Sequence, residues 1–438
     1  MTSKFMDMNY SHKMFDCNVK YPCCVLCVQE ITLTEGSKIF ATWKNPPPPV
    51  YMEFFIFNVT NPDKFLKGEA KPHLTTMGPY TYREYRPKHN VSFVHNGTKV
   101  AAYTAKIFVF EPEKSVGDPN VDLVTTVNIP AVAVMNRIKG AGFWVSSGIS
   151  MYMGSIGTTM FMTHTVQELL WGFKDPLLSR LKTIRPDTDE YFGLMLHKNS
   201  SDDGEFVYHT GEQNYLDFGR IYTWKGEKMM SFWKSNQSNM INGTDGSGFH
   251  PFLSKEERLN VFTPDLCRSI HMRFEKEVEL KGIPAYRFTP PRDVLASGKN
   301  NPENEGFCVT PKKCLDDGVL DVSVCRKGAP VVMSFPHFHL GDEKYAKAID
   351  GISPVHDLTR NLNSTIFPIL FLNESVVIDD ASAARIQKLL LIVTLVSHFP
   401  LILVALGVIL LLVSIILAIR FYQNKVIATT QNTLATAS

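Results

Sequence analysis

Residues Leu389 to Ile419 form an unbroken run of 31 residues without Asp, Glu, Lys or Arg. A bilayer-spanning helix needs about 20 apolar residues at about 1.5 Å rise each. Pro400 divides the run, and the stretch after it, LILVALGVILLLVSIILAI (Leu401–Ile419), is apolar on every face. A helix on a soluble domain would keep a polar stripe. The region 389–419 is therefore expected to be a transmembrane helix, with 420–438 as its tail. Lys388 and Arg420 flank the run, and Arg420 with Lys425 place that tail in the cytoplasm by the positive-inside rule.

An anchor of this kind leaves 29–388 for a secretory lumen or the cell exterior, and the polar sequence agrees. Asn-x-Ser/Thr acceptor sites for N-glycans begin at Asn58, Asn90, Asn96, Asn199, Asn236, Asn242, Asn363 and Asn373, with a further one at Asn9. One such motif is common by chance, but eight spread over a single region point to a surface exposed to the glycosylation machinery. After residue 30 the cysteines are Cys267, Cys308, Cys314 and Cys325, an even set that allows three pairings. The short spacing favours Cys308–Cys314, which leaves Cys267–Cys325. Free buried thiols and a zinc site are the alternatives; the C-x5-C spacing without a second close pair fits zinc poorly. The net charge of +2 gives no electrostatic case for nucleic acid.

The secondary-structure signals favour strands. Val50–Thr60 combines β-branched and aromatic residues after a run of prolines. Asn96-Gly97 and Lys225-Gly226 each separate strand-like segments and suit tight turns with positive φ. Gly282–Phe288 and Gly318–Cys325 read as further strands. Helix starts are expected at three places. Two are capping boxes, at Thr165–Glu168 and Ser254–Glu257; the third is Thr263-Pro264, a cap residue before a proline. Asn136–Met162, rich in Gly, Ser, Met and aromatics, predicts one or two apolar helices of weak propensity. If exposed, that patch is a candidate binding surface.

Long segments of the chain resemble the class B scavenger receptor family, most of all its lysosomal member. They include EGSKIFATW, FFIFNVTNP (Phe54–Pro62), GPYTYREYR (Gly78–Arg86) and FEPEKSVGDPNVDL (Phe110–Leu123). They continue with THTVQELLWGFKDP (Thr163–Pro176), NMINGTDGSGFHP (Asn239–Pro251), CRSI (Cys267–Ile270), GAPVVMSFPHF (Gly328–Phe338) and LNESVVID (Leu372–Asp379). The resemblance implies an α+β ectodomain: a mostly antiparallel β-barrel with an apical helical bundle and an internal lipid tunnel. It implies the pairs Cys267–Cys325 and Cys308–Cys314. It also implies a glycoprotein receptor that binds protein or lipid ligands and moves lipid or cholesterol. Its partners would be membrane lipids, sterols or fatty acids, and a lysosomal hydrolase or a lipoprotein. The apical candidates for ligand binding are Phe143, Trp144, Met151, Tyr152 and Met153.

Four departures from the family qualify those expectations. Residues 1–28 carry Lys4, Asp7, His12, Lys13, Asp16 and Lys20, so the family's first membrane helix is not expected there. A segment is missing around Asp357-Leu358, and with it strands expected in the barrel. No histidine lies between Asn136 and Thr163, which argues against pH-gated release of a hydrolase at the apex. The tail lacks an acidic dileucine signal. The lysosomal membrane is therefore favoured by resemblance, and the plasma membrane is the alternative. The alternative functions are a cell-surface receptor for lipoproteins or fatty acids and a truncated, inactive isoform.

Smaller motifs carry little chemistry. Cys23, Cys24 and Cys27 read as an incidental cluster or as a palmitoylation site, ahead of redox or metal chemistry. His337-Phe338-His339 could put two ligands on one strand face, but no third ligand is apparent. Asn242–Gly246 reads as a glycosylated turn, since the spaced oxygen ligands of a calcium loop are missing. Hydrolase, zincin, phosphate-loop and dinucleotide signatures are absent from the sequence, so neither an enzyme nor a cofactor is expected.

Overall fold

The computed structural model describes residues 32–46, 50–138, 142–310, 314–326, 328–351, 366–376 and 378–435. The segment 1–28, Cys23, Cys24, Cys27, Asn363 and the neighbourhood of Asp357-Leu358 lie outside those residues. The described chain divides into two units, 32–278 with 284–376 and 279–283 with 378–435.

The first strands are β1 (Val50–Val59), β2 (Leu74–Tyr85), β3 (Lys88–Val94), β4 (Lys99–Phe110), β5 (Leu123–Val127) and β6 (Phe161–Thr165). They are followed by β7 (Phe173–Lys174), β8 (Tyr191–Phe192), β9 (Ser201–Asp202), β10 (Phe206–His209), β11 (Ile221–Trp224) and β12 (Leu259–Thr263). The last are β13 (Arg268–Leu280), β14 (Ile283–Thr289), β15 (Val319–Asp321), β16 (Val332–Ser334) and β17 (Leu370–Val376).

The main sheet has eight strands in the order β11-β10-β4-β2-β1-β17, with β3 and β9 also paired to β4. Its pairs are antiparallel. The long β4 changes partners along its length: Lys99 to Ala102 lie between β3 and β10, while Ile107 to Phe110 pair with β2. The expected closed barrel is not formed. Closure requires each edge strand to find a second neighbour, and among the described residues β17 pairs with β1 alone.

Alternation places the core. In β1, Val50, Met52, Phe54 and Ile56 are buried at every second position. Met52, Phe54 and Ile56 meet Tyr80 and Tyr82 of β2 and Leu169 and Leu170 of the helix Val166–Trp171. Each such apolar side chain contributes about 1.5–3 kcal/mol on burial. That helix starts at the expected capping box: Thr165 Oγ1 accepts from Glu168 N, and the Glu168 carboxylate accepts from Thr165 N. A second core holds Val100, Phe206, Tyr208, Trp224, Trp233 and Phe262 around the buried Cys267. Both disulfides are present, Cys267–Cys325 and Cys308–Cys314. Near the β1 bulge, Gly78 has φ +140°, and a Cβ there would lie 2.6 Å from the Phe54 carbonyl oxygen, so no side chain fits.

The hairpin at Asn96-Gly97 stands as expected, while at Lys225-Gly226 the turn forms but the expected return strand is reduced to a single bridge, Trp224 to Glu227. His95, Asn96 and Gly97 all have positive φ between β3 and β4, as do Lys225 and Gly226 after β11. Two predicted helix starts do not stand. Ser254 N donates to Glu257 Oε1, but the box closes only a turn, because the chain from Leu259 is already committed to the ladder with β13. Thr263-Pro264 opens a four-residue connection, since Thr263 pairs with Arg268. The segment Gly318–Cys325 is strand only over Val319–Asp321 and then forms a 3-10 turn. His337 also lies in a 3-10 turn with φ +54°, so the paired-ligand strand geometry at His337 and His339 does not arise.

In the second unit, the helix Asp380–Ala435 contains the whole uncharged run. It is long and apolar enough to cross a membrane. Lys281 Nζ meets Asp380 Oδ1 at 2.5 Å near its start.

Candidate functional site

The segment 128–160 leaves and returns at a single point. Val127 of β5 pairs with Phe161 of β6, and Asn128 N donates to Met160 O at 2.9 Å. Between those residues the chain builds two helices. Ile129–Arg137 is capped by Asn128, whose side chain accepts from Ala131 N, and has Pro130 in its first turn. Phe143–Ser155 follows Gly142, which has φ +89°. A third helix, Pro176–Ile184, is capped by Asp175 in the same way. The three share a small core of Ala131, Met153 and Leu177, with Val134, Met135, Ile149, Ile156 and Leu181 packed on it.

The helix Phe143–Ser155 is therefore two-sided. Ile149, Met153 and Ile156, three and four residues apart, turn inward. Trp144, Met151 and Tyr152, at i, i+7 and i+8, turn outward beside Phe143. Their exposures are 85% for Trp144, 77% for Met151, 75% for Phe143 and 48% for Tyr152. The Phe143 and Trp144 rings make an edge contact at 5.6 Å. Met153, expected in the ligand-binding set, is only 4% exposed and belongs to the helical core instead. The helix carries no charged residue. Aromatic side chains bury about 150–250 Å² each, so this face approaches the few hundred Å² at which exposed apolar patches on monomers are often functional.

Two histidine pairs lie C-terminal to the cluster in sequence, beyond Thr163. His164 Nδ1 lies 3.2 Å from Glu168 Oε2, and its ring stacks on Phe173 at 3.6 Å. The bond from Thr165 N first, and His164 after it, hold the Glu168 carboxyl below its usual range against the opposing effect of burial. His197 Nε2 lies 2.7 Å from Asp189 Oδ2 and holds that carboxyl low. His164 and Glu168 are four residues apart across the capping box at Thr165, whereas a loop brings His197 to Asp189.

The glycan acceptors divide by environment. Asn90, Asn96 and Asn236 are exposed, the first two with positive φ. Asn58 and Asn242 are half-buried, and Asn58 Oδ1 accepts from Thr125 N. Asn199 Oδ1 accepts from Phe108 N, and Asn373 Nδ2 donates to Glu53 at 2.7 Å. Among the described residues no group of three or more His, Cys, Asp or Glu could hold a metal ion.

A deeper charge cluster braces the Cys267–Cys325 region. Lys106 Nζ meets Asp203 at 2.5 Å, Lys198 bridges Asp203 and Asp265, and Arg326 donates to the Asp265 carbonyl at 2.6 Å. Burial raises the Asp265 carboxyl, but Lys106, Lys198 and Arg326 outweigh it and hold the group well below the carboxylate range.

Comparison with known proteins gives a consistent result. The model of the CD36 family matches residues 24–359 and 354–418. Lysosome membrane protein 2 of Rattus norvegicus is 41% identical over 415 residues, covering 87% of this chain and 86% of that protein. The Homo sapiens protein of the same name is 40% identical over the same extent. Scavenger receptor class B member 1 of Cricetulus griseus is 37% identical over 332 residues, covering 75% of this chain and 64% of that protein. The two stretches of the family match overlap at 354–359.

Proposed function

This chain belongs to the CD36 family, the class B scavenger receptors, and from that premise we propose that it is a membrane-anchored, non-enzymatic receptor whose ligand surface is the outer face of the helix Phe143–Ser155. The observation that carries this reading is the exposure of Phe143, Trp144 and Met151 on a helix whose other face is already satisfied by its own core. An uncharged aromatic face suits an apolar partner surface, such as a lipoprotein or an apolar patch on a lysosomal hydrolase. The domain organisation proposed is an atypical segment 1–28, an ectodomain 29–388, the span 389–419 and a cytoplasmic tail 420–438.

The direct test uses full-length protein in detergent. Binding of labelled lipoprotein particles and of a lysosomal hydrolase is compared between the wild type and the variant Phe143→Ser/Trp144→Ser/Met151→Ser. Loss of three anchors at about 1.5–3 kcal/mol each predicts at least a hundredfold weaker binding of whichever partner is recognised. Unchanged binding of both partners removes this face from the function. Between the two, the lack of histidine from Asn136 to Thr163 favours a partner whose attachment does not depend on acid release.

Lipid passage through the ectodomain is the second part of the proposal. Closure of an internal path would depend on the two open edges of the main sheet, β11 and β17. Transfer of fluorescent cholesterol or fatty acid to vesicles by the full-length protein tests it. Absence of transfer, with binding at the helical face retained, would leave a receptor without a transport function.

A further inference from the structure

A trough of about 430 Å³ crosses one face of the main sheet, and the function above does not use it. Its floor is one cross-strand row. Ser92 of β3 pairs with Ala101 of β4, Ala101 with Val207 of β10, and Val207 with Thr223 of β11. All four side chains are small or β-branched, so the floor is shallow and closed by the sheet itself. Four strands at about 4.8 Å spacing make it roughly 14 Å long.

A β-bulge supplies the wall. Val207 pairs with Thr223 and Tyr208 with Ile221, so Tyr222 is the extra residue. Normal alternation would turn Tyr222 away from the Thr223 face; a bulge re-aims such a side chain. The Tyr222 ring lines the trough and gathers cations. Lys99 Nζ lies 4.5 Å and Lys228 Nζ 4.7 Å from its centroid. The rings of His95 and His209 meet it edge-on at 5.7 and 5.5 Å. A bond from Lys228 leaves the Tyr222 hydroxyl below the usual phenol range. Glu205 contributes the one carboxylate among the lining residues.

We propose that this trough binds a sulfated saccharide chain. Lys99 and Lys228, gathered at the Tyr222 ring, would hold sulfate groups, and Ser92, Thr223 and Glu205 would meet sugar hydroxyls. A trough open along its length suits a polymer that enters at one end and leaves at the other. An anionic lipid fits less well, because a floor formed by the sheet offers no apolar depth for acyl chains.

The test uses the glycan-trimmed full-length protein in detergent, with a fluorescent heparin octasaccharide as probe. The expected result is salt-sensitive binding that the desulfated octasaccharide does not reproduce. Lys99→Gln/Lys228→Gln should weaken binding about tenfold or more, as loss of two charge-assisted contacts requires. Lys228→Gln alone, at an exposed position, should weaken it measurably without risk to folding. Tyr222→Ala should weaken binding as well, and Lys67→Gln, an exposed lysine elsewhere, should not. Equal binding by the double variant, equal binding of the desulfated probe, or no binding at low salt overturns the proposal. So does Lys99- and Lys228-dependent binding of phosphatidylserine vesicles without binding of the octasaccharide, which assigns the trough to a lipid headgroup.

Discussion

Acidification should destabilise the ectodomain through one histidine, His271 on β13. The residue is 8% exposed and pairs across the ladder with Asn260. Arg258 Nη2 approaches its Nδ1 at 2.9 Å, and a guanidinium can only donate, so Nδ1 must accept and the ring is neutral. Burial first, and then Arg258, push the imidazole down to about 4, against the pull of Asp293 at 3.3 Å. The unfolded chain takes up its proton near pH 6.5, while the folded protein resists until about pH 4. Between those limits the unfolded state holds more protons, so stability falls as pH falls. From pH 7 to pH 5 the loss is about 2 kcal/mol. With an unfolding entropy of about 2.1 cal/mol/K per residue over roughly 300 residues, this corresponds to about 3 °C in Tm. The assay is thermal unfolding of the full-length protein by tryptophan fluorescence at both pH values. His271→Gln, which cannot titrate, should lose about 3 °C less than the wild type over that interval. Equal losses in the two proteins would refute the reasoning.

Two further substitutions test the local physics. Thr165→Ala removes one half of the capping box and should cost about 1 kcal/mol of unfolding free energy, read as a lower denaturant midpoint with unchanged slope. Gly243→Ala puts a Cβ 1.9 Å from the Asn260 carbonyl oxygen at φ +86°; it should cost several kcal/mol and lower the yield of folded protein sharply, and a folded, stable variant would contradict the described packing there.

How legible these features were depends on how local their causes are. The capping box at Thr165, the positive-φ turns at Asn96-Gly97 and Lys225-Gly226, and the alternation in β1 are set by neighbouring residues, and each appears in the fold. The same local chemistry misled at Ser254 and Thr263. There the pairing of Leu259–Thr263 with β13 outweighs cap preferences worth only about 1 kcal/mol each. The apolar stretch after Asn136 was visible as a patch, but which side of it would be buried was not. Met153 faces inward only because Ala131 and Leu177 come from other helices. The trough around Tyr222 was invisible for a related reason, since a bulge and four separate strands assemble it.

The most direct test of the account is where the large unit resides. The full-length chain is expressed in mammalian cells, extracted from membranes and treated with an N-glycosidase. A luminal ectodomain anchored through 389–419 predicts a large downward mobility shift. That shift should shrink when Asn90, Asn96 and Asn236, the exposed acceptors, are each changed to Gln. A membrane-extracted protein whose mobility does not change would place the sheet and its helical face in the cytosol, and the receptor reading would fall with it.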